Sequence, residues 1–263
     1  MSNIHPTAII EDGAIIGDNV TIGAYSYIGS NVTIGDNTSV GTHTLIEGIT
    51  TIGKHNQIFS HATIGSIPQD LKYAGERVEL IIGDYNRIRE YTLINPGTVG
   101  GGSVTKIGNN NLLMGYVHLG HDVIMGDNCI LANGATLAGH VELGNNVVIG
   151  GLTPVHQFVH IGDYAMIAGA SALSQDIPPF CLAEGNRAIL RGLNLTGLRR
   201  HISREEIDQL KSAYRELFEQ GKPLQDTAQQ ILESTSSEIV KNLVNFIINS
   251  KRGIPFERNT NAK

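Results

Sequence analysis

Five of the ten histidines in this chain fall between positions 118 and 160: His118, His121, His140, His156 and His160. One carboxylate, Asp122, directly follows His121. An imidazole near its natural pKa can take a proton from a hydroxyl at neutral pH, and an adjacent carboxylate can fix its tautomer. Gly139 adds a backbone N–H that no side chain obstructs, which suits a developing oxyanion. Together these residues are the equipment for acyl transfer. The same residue types also suit a metal, since neutral histidines are common zinc ligands. A polar subunit interface without chemistry is the third reading. The choice turns on whether these side chains meet.

Their placement follows from a period of six. An aliphatic residue recurs at every sixth position from Ile4 through Ile10, Ile16 and Ile22 to Ile64, and again from Ile107 through Leu113 and Leu119 to Leu173. A hexapeptide period specifies a β-helix. With the aliphatic residue at position i, position i+4 is also small or apolar, as at Val117, Val123, Cys129 and Ala135. These two positions share a face by the strand rule and point inward. Cys129 is therefore read as core and not as a reactive thiol. The Gly, Asn and Asp residues after i make the corners. None of the five histidines falls at i or i+4, so all are outward or at corners. In hexapeptide proteins three repeats close one coil, so residue n stacks on n+18, about 4.8 Å away. His121, Gly139 and Gln157 then form one column and Asp122 and His140 the next. Gly120, Ala138 and His156 form the column before. His118, His121, Asp122, Gly139, His140, His156 and Gln157 are expected in one patch on one edge. Neighbours on a regular strand point to opposite faces; His121 and Asp122 lie close to a corner, where that rule relaxes.

Two segments break the period. Residues 66–81 would bury Asp70 and Glu76, which is too costly for unpaired carboxylates, so they are expected to loop out. Residues 95–106 contain Pro96-Gly97 and Gly100-Gly101-Gly102 and shift the register by one; no helix follows to make a phosphate cradle, and they read as a plain surface excursion. Pro178-Pro179 ends the repeats. Ser203-Arg-Glu-Glu206 is a capping-box start, with Ile207, Leu210, Tyr214, Leu217 and Phe218 at helical spacing and Gly221 as the stop. A second helix is expected near Pro223 and a third around Ile239–Ile247. The chain is thus expected to form an all-β solenoid over 1–177 and an α-helical domain over 178–263.

The formal net charge of −6 argues against general nucleic-acid binding. No apolar run approaches eighteen residues, so no transmembrane segment is expected. The N-terminus lacks a basic start and an apolar stretch, so no signal peptide is visible. Two cysteines make no disulfide framework, which points to a reducing cytoplasm. Basic residues are concentrated in Arg187, Arg191, Arg199, Arg200, Arg204, Lys211, Arg215 and Lys222. That cluster is either a solvated helical surface or a dock for an acidic partner or a phosphate-bearing ligand.

Several non-repeating motifs carry a family resemblance: Gln69-Asp-Leu-Lys-Tyr-Ala-Gly-Glu76, Asn111-Leu-Leu-Met114, His118-Leu-Gly-His-Asp122, Asn133-Gly-Ala-Thr-Leu-Ala-Gly-His140, Val155-His-Gln-Phe158, Gln175-Asp-Ile-Pro-Pro179 and Glu184-Gly-Asn186. On these the chain resembles the UDP-N-acetylglucosamine O-acyltransferases, over nearly its whole length. The resemblance implies a left-handed parallel β-helix with a C-terminal helical domain, a homotrimer with sites between neighbouring prisms, and the first step of lipid A biosynthesis. It implies a 3-hydroxyacyl chain on acyl carrier protein as donor and the 3-hydroxyl of UDP-N-acetylglucosamine as acceptor. His121 is then the general base, Asp122 its partner and Gly139 the oxyanion donor. Gln69, Asp70, Lys72, His118, His140 and Gln157 would contact the sugar nucleotide, with His156 lining the site. Asn194 and Arg200 would serve the nucleotide, and Gly169 would lie along the acyl groove. No metal or small cofactor is implied. The alternatives are another hexapeptide acyl- or acetyltransferase, a zinc enzyme like the γ-class carbonic anhydrases, and a non-catalytic trimeric scaffold.

Overall fold

The computed structural model describes residues 2–257; residue 1 and residues 258–263, the outer ends of the two expected domains, lie outside the described residues. Most strands are two residues long, because a hexapeptide spends the rest of its length on a corner. They collect into three sheets, one of eleven strands and two of eight. Up to Met166–Ile167, consecutive strands go to different sheets and each pairs in parallel with the strand one coil on, as in Ile4↔Ile22, Ile10↔Ile28 and Ile16↔Ile34. Partners are therefore 18 residues apart, and the three-repeat coil holds. Sheet one begins with Asn3–Ile4, sheet two with Ile9–Ile10 and sheet three with Ile15–Ile16.

The aliphatic ladder fills the prism. Ile28, Ile46, Ile64, Ile94, Leu119 and Leu137 are each 0% exposed, as are the i+4 residues Val117, Val123, Cys129 and Ala135. Each such Ile, Leu or Val contributes about 1.5–3 kcal/mol relative to an exposed position. Cys129 is core as expected, and burial pushes its thiol up to about 12. A column of buried amides runs beside the aliphatics. Asn56 Oδ1 accepts from Asn86 N at 2.8 Å, Asn86 Oδ1 from Asn111 N at 2.9 Å, and Asn111 Oδ1 from Cys129 N at 2.7 Å.

Corner residues repeatedly adopt a left-handed backbone. On the edge between sheets one and two, Tyr25, His43, His61, Tyr91 and Tyr116 do so, with ring centroids 5.0–5.1 Å apart from one coil to the next. On the edge between sheets two and three, Asp122, His140 and Phe158 have φ of 60°, 60° and 63°.

Both excursions leave the prism at this second edge, from the sheet-two strands Thr63–Ile64 and Leu93–Ile94. Strand partners are 30 residues apart across the first (Ile64↔Ile94) and 25 across the second (Ile94↔Leu119). Both are shorter than the sequence reading of 66–81 and 95–106. The chain rejoins sheet three at Glu79–Ile82 and at Val104–Ile107. Inward alternation resumes earlier than the hexapeptide pattern indicates, with Val78 6%, Leu80 0% and Thr105 0% exposed.

The segment expected to be helical from 178 opens instead as sheet. Cys181–Glu184 extends sheet one beside Met166–Ile167 and pairs antiparallel with Ile189–Leu193. Its inward Cys181 and Ala183 are fully buried and carry the prism core upward. Helices begin with α1 (Leu195–Leu198), then α2 (Arg204–Phe218), α3 (Leu224–Ser234) and α4 (Glu238–Asn249). The Ser203/Glu206 capping box opens α2 as the sequence predicts, and Ile207, Leu210, Leu217 and Phe218 form its buried stripe. The irregular segment after α4 is tied down by Asp176, whose Oδ2 accepts from Ser250 Oγ at 2.7 Å and Arg252 N at 3.2 Å. No helix among the described residues is long and apolar enough to cross a membrane.

Candidate active site

His121 Nδ1 lies 2.7 Å from Asp122 Oδ2. An ionised carboxylate only accepts, so Nδ1 donates and Nε2 keeps its lone pair. The left-handed φ of Asp122 makes this contact between sequence neighbours possible, because it swings the carboxylate round the corner toward His121.

The Asp122 side chain is 1% exposed. Its Oδ1 accepts from Thr98 N at 2.8 Å, and its Oδ2 also accepts from Thr98 Oγ1 at 2.6 Å. Asp122 N donates to Thr105 Oγ1 at 2.8 Å. A Cβ on Gly101 would fall 2.0 Å from the carboxylate carbon. The second excursion is therefore not the plain surface feature that its glycines suggested. Asn95 through Thr98 are buried, and the turn that follows closes over Asp122. Thr98, Gly101 and Thr105 are site residues that the sequence reading missed. A polar residue at an inward position, Thr105, was the one signal; the 24 residues between Thr98 and Asp122 concealed the rest.

His140 stands one coil above Asp122. It meets His121 edge-on at 5.0 Å and stacks on Phe158 at 4.4 Å. Its Nδ1 is 3.8 Å from Asp122 Oδ2. Burial lowers its pKa below the ordinary value, with the His121 ring acting in the same sense and Asp122 and Asp70 opposing. His118 faces out from sheet two, and its Nδ1 donates to Leu93 O at 3.2 Å. Its pKa is also lowered, chiefly by burial. Gly139 is required where it is, because a Cβ there would sit 2.5 Å from His121 Cε1. Its carbonyl accepts from Phe158 N, while its N–H has no protein acceptor among the described residues. One coil further, His156 Nδ1 lies 3.0 Å from Gln157 O, and both side chains are exposed on the same edge.

The first excursion overhangs this corner. Gln69 and Lys72 are exposed on it, and Asp70 is half-buried with Oδ1 accepting from Lys72 N at 3.0 Å. Asn95 ties the excursion down by donating from Nδ2 to Ser66 O and Ile67 O, both at 3.0 Å. Its Oδ1 is buried without a partner among the described residues.

Three sequence-predicted residues lie elsewhere on the chain. Gly169 is on the edge between sheets one and two, in an open groove of about 580 Å³ with Tyr116, Gly134, Leu152 and Ala170. Asn194 lies by the edge between sheets three and one. It caps α1, with Oδ1 accepting from Gly197 N at 3.1 Å and Nδ2 donating to Tyr164 O at 2.9 Å. Arg200 is exposed just beyond α1.

His121, Asp122 and His140 place ligand atoms within 4.8 Å of one another, close enough for an ion. Their hydrogen bonding does not fit one. Both Asp122 oxygens already accept from Thr98, and the proton on His121 Nδ1 points at the carboxylate. An ion would have to break the His121–Asp122 bond. The arrangement leaves Nε2 able to accept a proton, with the buried carboxylate placed to steady an imidazolium.

A family model described as UDP-N-acetylglucosamine O-acyltransferase, domain 2, matches residues 176–255, and the bacterial transferase hexapeptide model matches 2–30, 13–48 and 104–139. The acyl-[acyl-carrier-protein]–UDP-N-acetylglucosamine O-acyltransferase of Sulfurovum sp. (strain NBC37-1) is 78% identical over 98% of this chain and 99% of its own length. The protein of that name from Aliarcobacter butzleri is 70% identical over 98% and 100%. Among solved structures, UDP-N-acetylglucosamine acyltransferase from Campylobacter jejuni superposes with a TM-score of 0.94 at 51% identity, covering 97% of this chain and all of that one (100%).

Proposed function

The chain belongs to the UDP-N-acetylglucosamine O-acyltransferase family, and from that premise we propose that it esterifies UDP-N-acetylglucosamine with an acyl group from acyl carrier protein, using His121 as general base. The observation that carries the mechanism is the His121–Asp122 pair, 2.7 Å apart with Nε2 left free to accept a proton. The acceptor hydroxyl gives its proton to Nε2 as its oxygen attacks the thioester carbonyl of the donor. The carbonyl π pair moves onto oxygen, and the open Gly139 N–H supplies a donor for that oxyanion. Collapse re-forms the carbonyl and breaks the C–S bond. The proton on Nε2 passes to the departing thiolate, leaving an ester and a free thiol.

The donor chain is a 3-hydroxyacyl group and the acceptor oxygen is the sugar 3-hydroxyl, as in the first step of lipid A biosynthesis. Gln69, Asp70, Lys72, His118, His140, His156 and Gln157 surround the acceptor. The apolar groove beside Gly169 takes the acyl chain, and Asn194 and Arg200 serve the nucleotide. These groups occupy three different edges of one prism, which supports a homotrimer whose sites combine the edges of neighbouring copies. The basic residues at Arg199, Arg200 and along α2 suit an acidic carrier protein. The setting is cytoplasmic.

The test is purified protein with UDP-N-acetylglucosamine and a ladder of 3-hydroxyacyl carrier-protein donors, with product mass read directly. A single acylated sugar nucleotide is expected, and His121→Ala abolishes nearly all of it without altering the melting profile. Substantial turnover by His121→Ala would remove the general-base role.

A further inference from the structure

We propose that Thr98 is a positioning residue for the reaction: its amide and hydroxyl clamp the Asp122 carboxylate so that Oδ2 faces His121 Nδ1. This rests on the general-base reading given above. A carboxylate on a short side chain has two oxygens that can exchange places by rotation. Here each oxygen has a different donor from the same residue, Thr98 N on Oδ1 at 2.8 Å and Thr98 Oγ1 on Oδ2 at 2.6 Å. Thr98 and His121 share Oδ2, the latter at 2.7 Å. A third constraint comes from the corner itself, where Asp122 N is held by Thr105 Oγ1. Gly101 completes the clamp, since its missing Cβ is the space the carboxylate occupies. The second excursion thus keeps Asp122 out of solvent and sets its angle.

The shared oxygen gives Thr98 an electrical effect as well as a steric one. A hydrogen bond from Thr98 Oγ1 draws charge from Oδ2 and weakens its hold on an imidazolium. Loss of the hydroxyl leaves a more concentrated charge facing His121, which strengthens its hold on the imidazolium. A methyl group at position 101 acts in the opposite sense, because it drives the carboxylate away from His121. The other titratable groups facing the pair are His140, 3.8 Å from Oδ2, His118 on sheet two, and Asp70 on the first excursion by way of His140. None of them changes in these variants.

The experiment measures kcat/KM against pH for the full-length protein and its Thr98→Val, Thr98→Ser and Gly101→Ala variants. In parallel, the His121 ring is titrated by NMR on histidine-labelled protein, with His121→Ala used for assignment. Thr98→Val is expected to move the acid limb, and the NMR titration with it, upward by roughly half to one pH unit. Its plateau rate is expected to fall about tenfold as orientation is lost. Thr98→Ser keeps the hydroxyl and restores both. Gly101→Ala moves the limb downward. A plateau loss without any shift in Thr98→Val would reduce Thr98 to a structural residue and overturn the proposal, as would a serine variant that behaves like valine. If Thr98→Val does not fold, the serine and Gly101→Ala variants and the NMR titration still decide the matter. An unmutated enzyme without acyl transfer would instead overturn the functional reading, while the ring titrations would still report on the clamp.

Discussion

His118 and His140 have their pKa lowered mainly by burial, and that couples the site to stability. The ordinary value for His118 is 6.5, and its folded value lies below it. Between the two values the unfolded chain binds more protons, so stability falls as pH drops from about 6.5 through the folded pKa. His140 contributes with the same sign. The urea midpoint is therefore expected to decline between pH 7 and pH 5, above the range where exposed carboxylates titrate. His118→Gln, which keeps a donor for Leu93 O, is expected to flatten that decline; an equal decline would show that His118 has no part in it. The gathering of residues at the His121 corner was legible in the sequence, because the period assigned His118, His121, His140, His156 and His160 to outward or corner positions. Pairing of His121 with Asp122 was anticipated from their place near a corner, and its basis is a left-handed φ that recurs at the third residue after the aliphatic, as at His43, His61, Asp122 and His140.

At the scale of elements, the strands were legible and the ends of the excursions were not. Inward residues recur at fixed spacing along the prism, but Val78 and Thr105 restart the alternation without a preceding hexapeptide to announce it. What holds the excursions was also hidden, because it depends on contacts such as Asn95 to Ser66 and Ile67, 28 and 29 residues apart. Asn95 joins the excursion bearing Gln69 and Asp70 to the coil below His121. Replacement with alanine removes two hydrogen bonds, each worth about 1 kcal/mol. Asn95→Ala is expected to raise KM for the UDP-sugar roughly tenfold while kcat changes little, and to speed proteolysis within 66–78. A fall in kcat equal to that in kcat/KM would place the excursion in the chemical step instead.

At the scale of the molecule, the three edges of one prism carry separate parts of the proposed site. His121 and Arg200 lie apart on one chain, so in the proposed homotrimer His121 of one copy would share a site with Arg200 of its neighbour. Co-expressed His121→Ala and Arg200→Glu chains, each inactive alone, are then expected to regain activity. Random mixing leaves on the order of one site in four with both residues intact. No recovery in the mixed assembly would mean that one copy supplies both. The helical tail was read correctly from its capping box and stripes, whereas the antiparallel pair Cys181–Glu184 and Ile189–Leu193 was missed because Pro178-Pro179 looked like a clean boundary between two kinds of structure.

The spacings of 30 and 25 residues across the excursions have an evolutionary consequence. Extra sequence inserted at this edge leaves every coil above and below in phase, so its length and composition can drift without cost to the solenoid. The edge that holds the base is thus also the place where the chain is free to acquire new loops. Acceptor preference can diversify among descendants by exchange of the first segment, while the two-residue strands and the second segment, which holds Asp122 through Thr98, pass unchanged from one to the next.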